Sequence, residues 1–511
     1  MTNRKRSYLN FASAALGQLL AMIIGFLLPR LFITNFGSEI YGLLNSGNEI
    51  LMYLALFEAG VGAVTLQALY GPVARKKWDN ISGVLSATNV YYKKAGVLYF
   101  AVLSLVALAY PLAVSVPLPQ LTVSLVIFFI GLPQAVSLIT QAKYILLLKA
   151  DGRSYVITNV ATVITVLTGI AKVVLLMNGV DALLVIIAQC GMLLAQALIL
   201  SRYTKKRYSL VSVHAAPDYQ SISQKNYSLI HQISALVFQS TDIMILTMVL
   251  GLKYVSIYSI YKLVMSQIGN VVYTLQNSVD FILGQTYQTD RKKFVQRIDQ
   301  YESWFSAIAF AICAVVFYVL YDFVALYTKG VQDAVYADKT LVLLFMMIEL
   351  LSVIRAPMLQ TISYAGHFKN TMPQSVFESI INLTVSLIAV NFLGMYGVLA
   401  GTIIALFYRT NDIIIYANTR LLKRSPLKTY MIHMMNIAVF IVVQFLFRAI
   451  FSDITSWLDL LITGILAGLI SVLLFVSVQT AVWPDNRSTF LFYLKNRGSR
   501  LRQILKAGKN S

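Results

Sequence analysis

From residue 8 almost to residue 482 the sequence is a succession of apolar stretches about twenty residues long, parted by short polar breaks. A helix of ~20 residues crosses the ~30 Å hydrocarbon layer of a bilayer. Inside lipid every backbone N–H and C=O must be satisfied within the segment, so repeated stretches of this kind leave little choice but a bundle of spanning helices. Charged residues make up only 12% of the chain, half the ~25% of a soluble domain. The formal charge of +20 is therefore read first against a membrane and not against nucleic acid. Hydropathy and polar breaks predict fourteen spans: about 8–31, 42–66, 96–116, 121–147, 155–177, 181–201, 228–250, 254–283, 304–327, 341–363, 374–392, 396–418, 429–449 and 457–482. The expected class is an all-α polytopic membrane protein.

The basic Asn3-Arg4-Lys5-Arg6 before an apolar run has the form of a secretory signal, but the run continues to Leu31. A cleavable signal stops after 7–15 apolar residues, so a retained first span is expected. Cys190 and Cys313 lie in separate apolar stretches without CxxC spacing, which points to packing and away from a disulfide framework or a zinc site.

Basic residues alternate from one connection to the next. Of the 41 Lys and Arg, 32 fall on the side of the N-terminus, five (Arg30, Lys253, Lys329, Lys339, Arg448) on the other, and four (Lys172, Lys262, Arg355, Arg409) within spans. Insertion leaves the basic side in the cytoplasm, so both termini are expected there, in a plasma (inner) membrane.

The chain also resembles itself. Phe36-Gly37-Ser38-Glu39-Ile40-Tyr41-Gly42 echoes Leu250-Gly251-Leu252-Lys253-Tyr254-Val255-Ser256, and Ala150-Asp151-Gly152-Arg153 echoes Tyr364-Ala365-Gly366-His367, both at an offset of 214. Asn178-Gly179-Val180 answers Leu393-Gly394-Met395 one residue further on. Spans one to six thus match spans seven to twelve. An even number of spans per repeat makes the two six-helix halves parallel, with a central cavity expected near midplane. The organisation read from this is an N-terminal bundle over 1–215, a second over 216–425, two appended helices over 426–484 and a basic tail over 485–511.

An ionised side chain at mid-bilayer costs ~2.5–3.5 kcal/mol even on lenient scales, so each must face protein or water. Counting 1.5 Å per residue, Asp242, Arg355 and Arg409 sit deep, while Lys262, Glu49 and Glu349 lie a few turns from the outer face and Lys172 lies nearer to it. At 100° per residue, Ser266, Asn270, Tyr273, Asn277 and Asp280 fall within roughly 80° of Lys262. This stripe is either the lining of a wet cavity or a buried hydrogen-bond seam. Arg409 and Asp412 share a helix face, so they form either a salt bridge or a substrate contact. Arg355 precedes Pro357, which is expected to break its helix. Asp242 is either a proton or cation site or the partner of a buried cation. Glu378 falls about one turn from the cytoplasm and is expected to be solvated. No GxSxG, HExxH, P-loop or acidic metal cluster occurs, so a transporter without a cofactor is expected in place of an enzyme.

Fourteen spans, the six-plus-six repeat and the element Arg30…Phe36-Gly37-Ser38-Glu39-Ile40-Tyr41-Gly42, with its counterpart Asp242…Leu250-Gly251…Tyr258, carry a family likeness. Over roughly residues 8–420 the chain resembles the polysaccharide transporter branch (O-antigen and oligosaccharide flippases) of the multidrug/oligosaccharidyl-lipid/polysaccharide exporter superfamily. The resemblance implies movement of an undecaprenyl-pyrophosphate-linked oligosaccharide from the inner to the outer leaflet by alternating access, through a cationic cavity. Of the five candidate cations (Arg30, Lys172, Lys262, Arg355, Arg409), Arg30 alone lies in a matched segment.

The reading is then a flippase in which these cations hold the pyrophosphate and Asn270, Tyr273 and Asn277 contact sugars. Glu49, Asp242, Glu349 and Asp412 are candidates for coupling to H⁺ or Na⁺. Partners are the lipid-linked substrate, anionic membrane lipids and other polysaccharide-assembly membrane proteins, with no nucleic acid. A cation-coupled multidrug exporter working through Asp242, Glu49 and Glu349 is the alternative. A membrane scaffold or glycan polymerase subunit stands third, because the longest outer connection is about a dozen residues.

Overall fold

The computed structural model describes residues 3–54, 61–220 and 240–483. They form helices joined by short turns: α1 (Asn3–Phe36), α2 (Ser38–Leu54), α3 (Val61–Ala74), α4 (Trp78–Ala113), α5 (Gln120–Thr140), α6 (Ala142–Ala150), α7 (Ser154–Met177), α8 (Ala182–Arg207), α9 (Ser240–Val249), α10 (Leu252–Thr289), α11 (Arg291–Tyr327), α12 (Lys339–Ala365), α13 (Phe368–Leu393), α14 (Met395–Tyr416), α15 (Leu427–Ile450) and α16 (Trp457–Val482). Eleven helices among the described residues are long and apolar enough to cross a bilayer. The chain is an all-α, multi-pass membrane protein. The tail at 485–511 and most of the span expected over 228–250 lie outside the described residues.

Local chemistry sets the helix starts. Asp181 accepts from the Leu183 N–H at 2.8 Å, Asp290 from Lys293 at 3.0 Å and Asp338 from Thr340 at 2.6 Å, each satisfying an orphan donor of the first turn of α8, α11 and α12. Ser456 and Asp459 form a reciprocal capping box on α16. The cap of α2 comes from far along the chain: Asp333 accepts from both the Ser38 N–H and the Ser38 hydroxyl, at 2.7 Å each.

Of the second span, read as 42–66, the described residues form α2 up to Leu54 and α3 from Val61. Two expectations change. The fourth span, read as 121–147, is interrupted at Gln141, and Lys143, counted from the sequence with the basic connections, sits on the nine-residue α6. The helix holding Pro357 does not break: α12 runs unbroken from Lys339 to Ala365. Proline removes one N–H, but packing against neighbouring helices lets proline persist in membrane helices.

The duplication read from the sequence appears in the backbone. α2 and α10 begin 214 residues apart, α4 and α11 213, α7 and α13 214, and α8 and α14 213. All six anchor glycines take left-handed conformations: Gly37 and Gly251 at φ +86° and +90°, Gly152 and Gly366 at +67° each, Gly179 and Gly394 at +68° and +56°. These turns need φ above zero, which glycine adopts without steric cost.

The described chain forms two compact units. The first comprises Met1–Leu263, Gly330–Val335 and Ser386–Val398; the second comprises Val264–Lys329, Tyr336–Val385 and Leu399–Ser511. The core of the first gathers Leu69, Leu85, Tyr92, Tyr99, Leu103 and Leu138. The core of the second gathers Phe294, Ile298, Met358, Ile362, Ile413 and Ala417. α15 and α16, read from the sequence as an appendage, are fastened into the second unit by polar contacts. Ser303 donates to Gln479 at 2.5 Å, Gln479 donates to Asn436 at 3.1 Å, Arg424 reaches Glu302 at 3.1 Å and Lys428 reaches Asp299 at 2.5 Å.

Candidate functional site

In the first unit, α2 and the start of α10 pack so closely that a Cβ on Gly42 would lie 2.0 Å from the Leu252 carbonyl oxygen. This approach brings two charged candidates together. Lys262 Nζ donates to Glu49 Oε1 at 2.6 Å. The Lys262 side chain remains 37% exposed while that of Glu49 is 12% exposed, so the carboxylate is the more buried partner of the pair. The second oxygen of Glu49 is buried without a hydrogen-bond partner among the described residues. Asp242, buried on α9, accepts from the Tyr258 hydroxyl at 2.9 Å, and Tyr258 feels the charges of both Asp242 and Glu49. Beside them Thr247 and Tyr110 both donate to the Ser46 hydroxyl, at 2.9 and 3.0 Å.

Lys172 on α7 has no ion pair among the described residues and lies over the Phe32 ring of α1, 5.6 Å from its centroid. An aromatic face attracts a cation without neutralising it. Arg30, two residues before Phe32, is half-buried.

The second unit holds Arg355, Arg409 and Asp412, with Glu378 at their centre. Arg355 Nη1 donates to Glu378 Oε1 at 2.9 Å, and Arg409 Nε lies 3.6 Å from Glu378 Oε2. Arg409 also pairs with Asp412 and donates to the Ser375 hydroxyl at 3.0 Å. Glu378 is 7% exposed, so the expectation that it is solvated fails. Its position at i−4 from Asn382, which donates to Thr402 at 2.8 Å, puts it on a packed polar face. That shared face was the available sign in the sequence.

Glu349, half-buried on α12, has no ion pair or hydrogen bond among the described residues. Asn270 and Tyr273 are exposed on α10, Tyr273 by 62%; the side chain of Asn277 lies outside the described residues. Along that continuous helix Met265, Ile268 and Val272 are buried while Ser266, Asn270, Tyr273 and Thr274 are exposed. Among the stripe's described members Ser266, Asn270 and Tyr273 are therefore exposed and Lys262 is half-buried, so these residues do not form a buried seam. The excess of cations read from the sequence is smaller in the fold, since Lys262, Arg355 and Arg409 each sit against carboxylates.

No protein-family model matches the chain, and no curated protein matches it by sequence. Solved structures do resemble it. A structure described as the lipid II flippase MurJ in an inward closed conformation aligns over 91% of this chain and 98% of its own, with a TM-score of 0.66 at 13% identity. An inward-facing multidrug resistance MATE family transporter of the MOP superfamily aligns over 79% and 95%, with a TM-score of 0.61 at 13% identity. A point mutant of the Vibrio cholerae MATE transporter VcmN aligns over 83% and 99%, with a TM-score of 0.52 at 16% identity. The fold is the one these transporters share, and the likeness does not single out a polysaccharide branch.

Proposed function

We propose that the protein translocates an undecaprenyl-pyrophosphate-linked oligosaccharide, a precursor of cell-surface polysaccharide, from the inner to the outer leaflet of the plasma membrane by alternating access. The observation that carries this reading is the exposed polar face of α10, headed by Lys262, whose ammonium is anchored by Glu49 while its side chain remains over a third exposed. On a membrane helix the exposed Asn270 and Tyr273 side chains call for water or a polar ligand, because hydrocarbon offers them no hydrogen bond. A pyrophosphate crossing the bilayer needs replacement for its hydration, and a cation that is positioned but accessible supplies it. Lys172 and Arg30 serve as further cations. Arg355 and Arg409 meet the phosphates by exchanging Glu378 and Asp412 for them, while Asn270, Tyr273 and Asn277 meet sugars. H⁺ or Na⁺ couples the cycle at Glu49, whose unpartnered oxygen accepts it, with Asp242 as a second acceptor. The sharing of a fold with a lipid flippase supports the class of substrate.

Depleting the protein should accumulate lipid-linked precursor in the cytoplasmic leaflet, and Lys262→Gln should cut translocation in proteoliposomes at least tenfold at normal protein levels. Unchanged precursor pools on depletion, with normal translocation by the Lys262 variant, would sink the reading.

A second reading rests on Glu349. A carboxylate in a span without an ion pair is the group a cation-coupled multidrug exporter would use, and MATE transporters share the fold. Under that reading Glu349→Gln abolishes drug-driven proton release from vesicles, whereas Lys262→Gln leaves it intact.

A further inference from the structure

Away from these charges, one end of the first unit holds a cavity of about 320 Å³ walled by α4, the α5–α6 junction, the last turns of α8 and the strand of chain that follows it. Four cations converge on it: Lys93 from α4, Lys143 from α6, and Arg202 and Lys205 from α8, with no Asp or Glu in its walls. Among the described residues none of the four has an ion-pair partner. Lys143 is the telling member, because it is 5% exposed and its ammonium has one acceptor, the Ile139 carbonyl at 2.8 Å. Burial, with Lys93 and Lys205 pressing on it, pushes that ammonium down to about 8. A buried cation facing three others without a carboxylate is costly unless something anionic completes the set. Two neutral wall residues are also incomplete: the Ser201 hydroxyl and the Asn89 side-chain oxygen are buried without hydrogen-bond partners. Ser201 supplies a neutral donor to an oxyanion beside the charged ones.

We infer that this cavity is a binding site for a phosphate group, held by Lys93, Lys143, Arg202 and Lys205 with the Ser201 hydroxyl as a further donor. Arg202 contributes the planar fork that suits phosphate oxygens, and the lysines contribute point charges. The site stands at the end of the unit where α4 begins and α8 ends, the end that carries the basic connections. Basic pockets at that level of a membrane protein suit anionic lipid headgroups, and a soluble phosphate reaches the same cations from the aqueous side. The inference is independent of the proposed transport reaction, since none of its residues belongs to the Lys262 or Glu378 clusters.

The test uses the full-length protein. In neutral detergent at low salt, titration with inorganic pyrophosphate should saturate, and Arg202→Gln and Lys143→Gln should each weaken it about tenfold or more, the loss of one charge-assisted contact. In phosphatidylcholine nanodiscs doped with phosphatidylglycerol, mass spectrometry of the intact protein counts the anionic lipid retained. Retention lost in the same variants, without pyrophosphate binding, assigns the site to a lipid headgroup; pyrophosphate binding without retention assigns it to a soluble phosphate. Arg202 and Lys205 are exposed, so Lys205→Gln keeps the test valid where Lys143→Gln fails to fold. Lys253→Gln, in the exposed pair with Glu39, should change neither readout. Absence of both kinds of binding in the unsubstituted protein, or equal binding by all variants, would overturn the inference. Because pyrophosphate also suits the Lys262 site proposed above, the titrations are read in the Lys262→Gln background, where the weakening by Arg202→Gln and Lys143→Gln should persist.

Discussion

Glu378 shows what a single carboxylate does when two guanidiniums need it. It spans Arg355 and Arg409, with Asp412 completing the charge balance. Replacing it by Gln leaves the buried Arg409 and the half-buried Arg355 with one acid between them, which costs about 3 kcal/mol for a buried pair stripped of one partner. The expected outcome is a clear fall in melting temperature for detergent-purified Glu378→Gln. Arg355→Gln in the same background should return part of the loss, because the second substitution removes the stranded charge. A double variant no more stable than the sum of the singles would show that the cluster does not act as a unit. At this scale the sequence reveals which residues are charged and deep, but not which carboxylate meets which cation. Arg409–Asp412 is legible because the pair is three apart on one helix; Lys262–Glu49 and Arg355–Glu378 join different helices, 213 and 23 residues apart. Asp333 is a sharper case, since its capping of Ser38 across 295 residues leaves no local pattern at all.

Among the elements, helices were legible where the apolar run was uninterrupted, and their ends were not. The three glycine turns, two at an offset of 214 and the third at 215, are read directly from the sequence because glycine takes their backbone without steric cost. Pro357 misleads, because a proline can be accommodated inside an unbroken membrane helix by its packed neighbours. The contact between α2 and α10 depends on Gly42, where even a methyl group meets backbone oxygen at 2.0 Å. Gly42→Ala cannot be absorbed by a side-chain rotation and must part the two helices, separating Lys262 from Glu49. The expected result is a destabilised protein with reduced translocation, whereas Gly464→Ala on α16, which meets open space, should behave as the unsubstituted chain. Equal melting temperatures for the two variants would contradict the close packing.

For the whole molecule, the positive charge that dominates the composition divides into three parts. Most of it falls, by sequence, on alternate connections, where it is expected to orient the chain; a few cations are paired within long apolar helices, and four face the cavity beside α6. Orientation is checked with single cysteines at Ser425 and Ser452, which flank α15; Cys190 and Cys313 are buried and form a quiet background. Ser425→Cys should react with a membrane-impermeant maleimide only from the cytoplasm and Ser452→Cys only from outside. Labelling of both from one side would break the assignment of cytoplasmic termini. The fold class was legible throughout, because hydropathy is a property of every residue. The cavity beside α6 was not, because its four cations come from three helices and read in sequence as ordinary loop charges.

The polar fastening of α15 and α16 bears on how the protein is made. Glu302 and its partner Arg424 are 122 residues apart, and translation proceeds at about 5–20 residues per second, so the carboxylate waits roughly 6–24 s for its counterion to be synthesised. During that interval Asp299 and Glu302, just ahead of the span read as 304–327, lack the counterions that Arg424 and Lys428 later supply. The second unit therefore closes late, when its last two helices arrive.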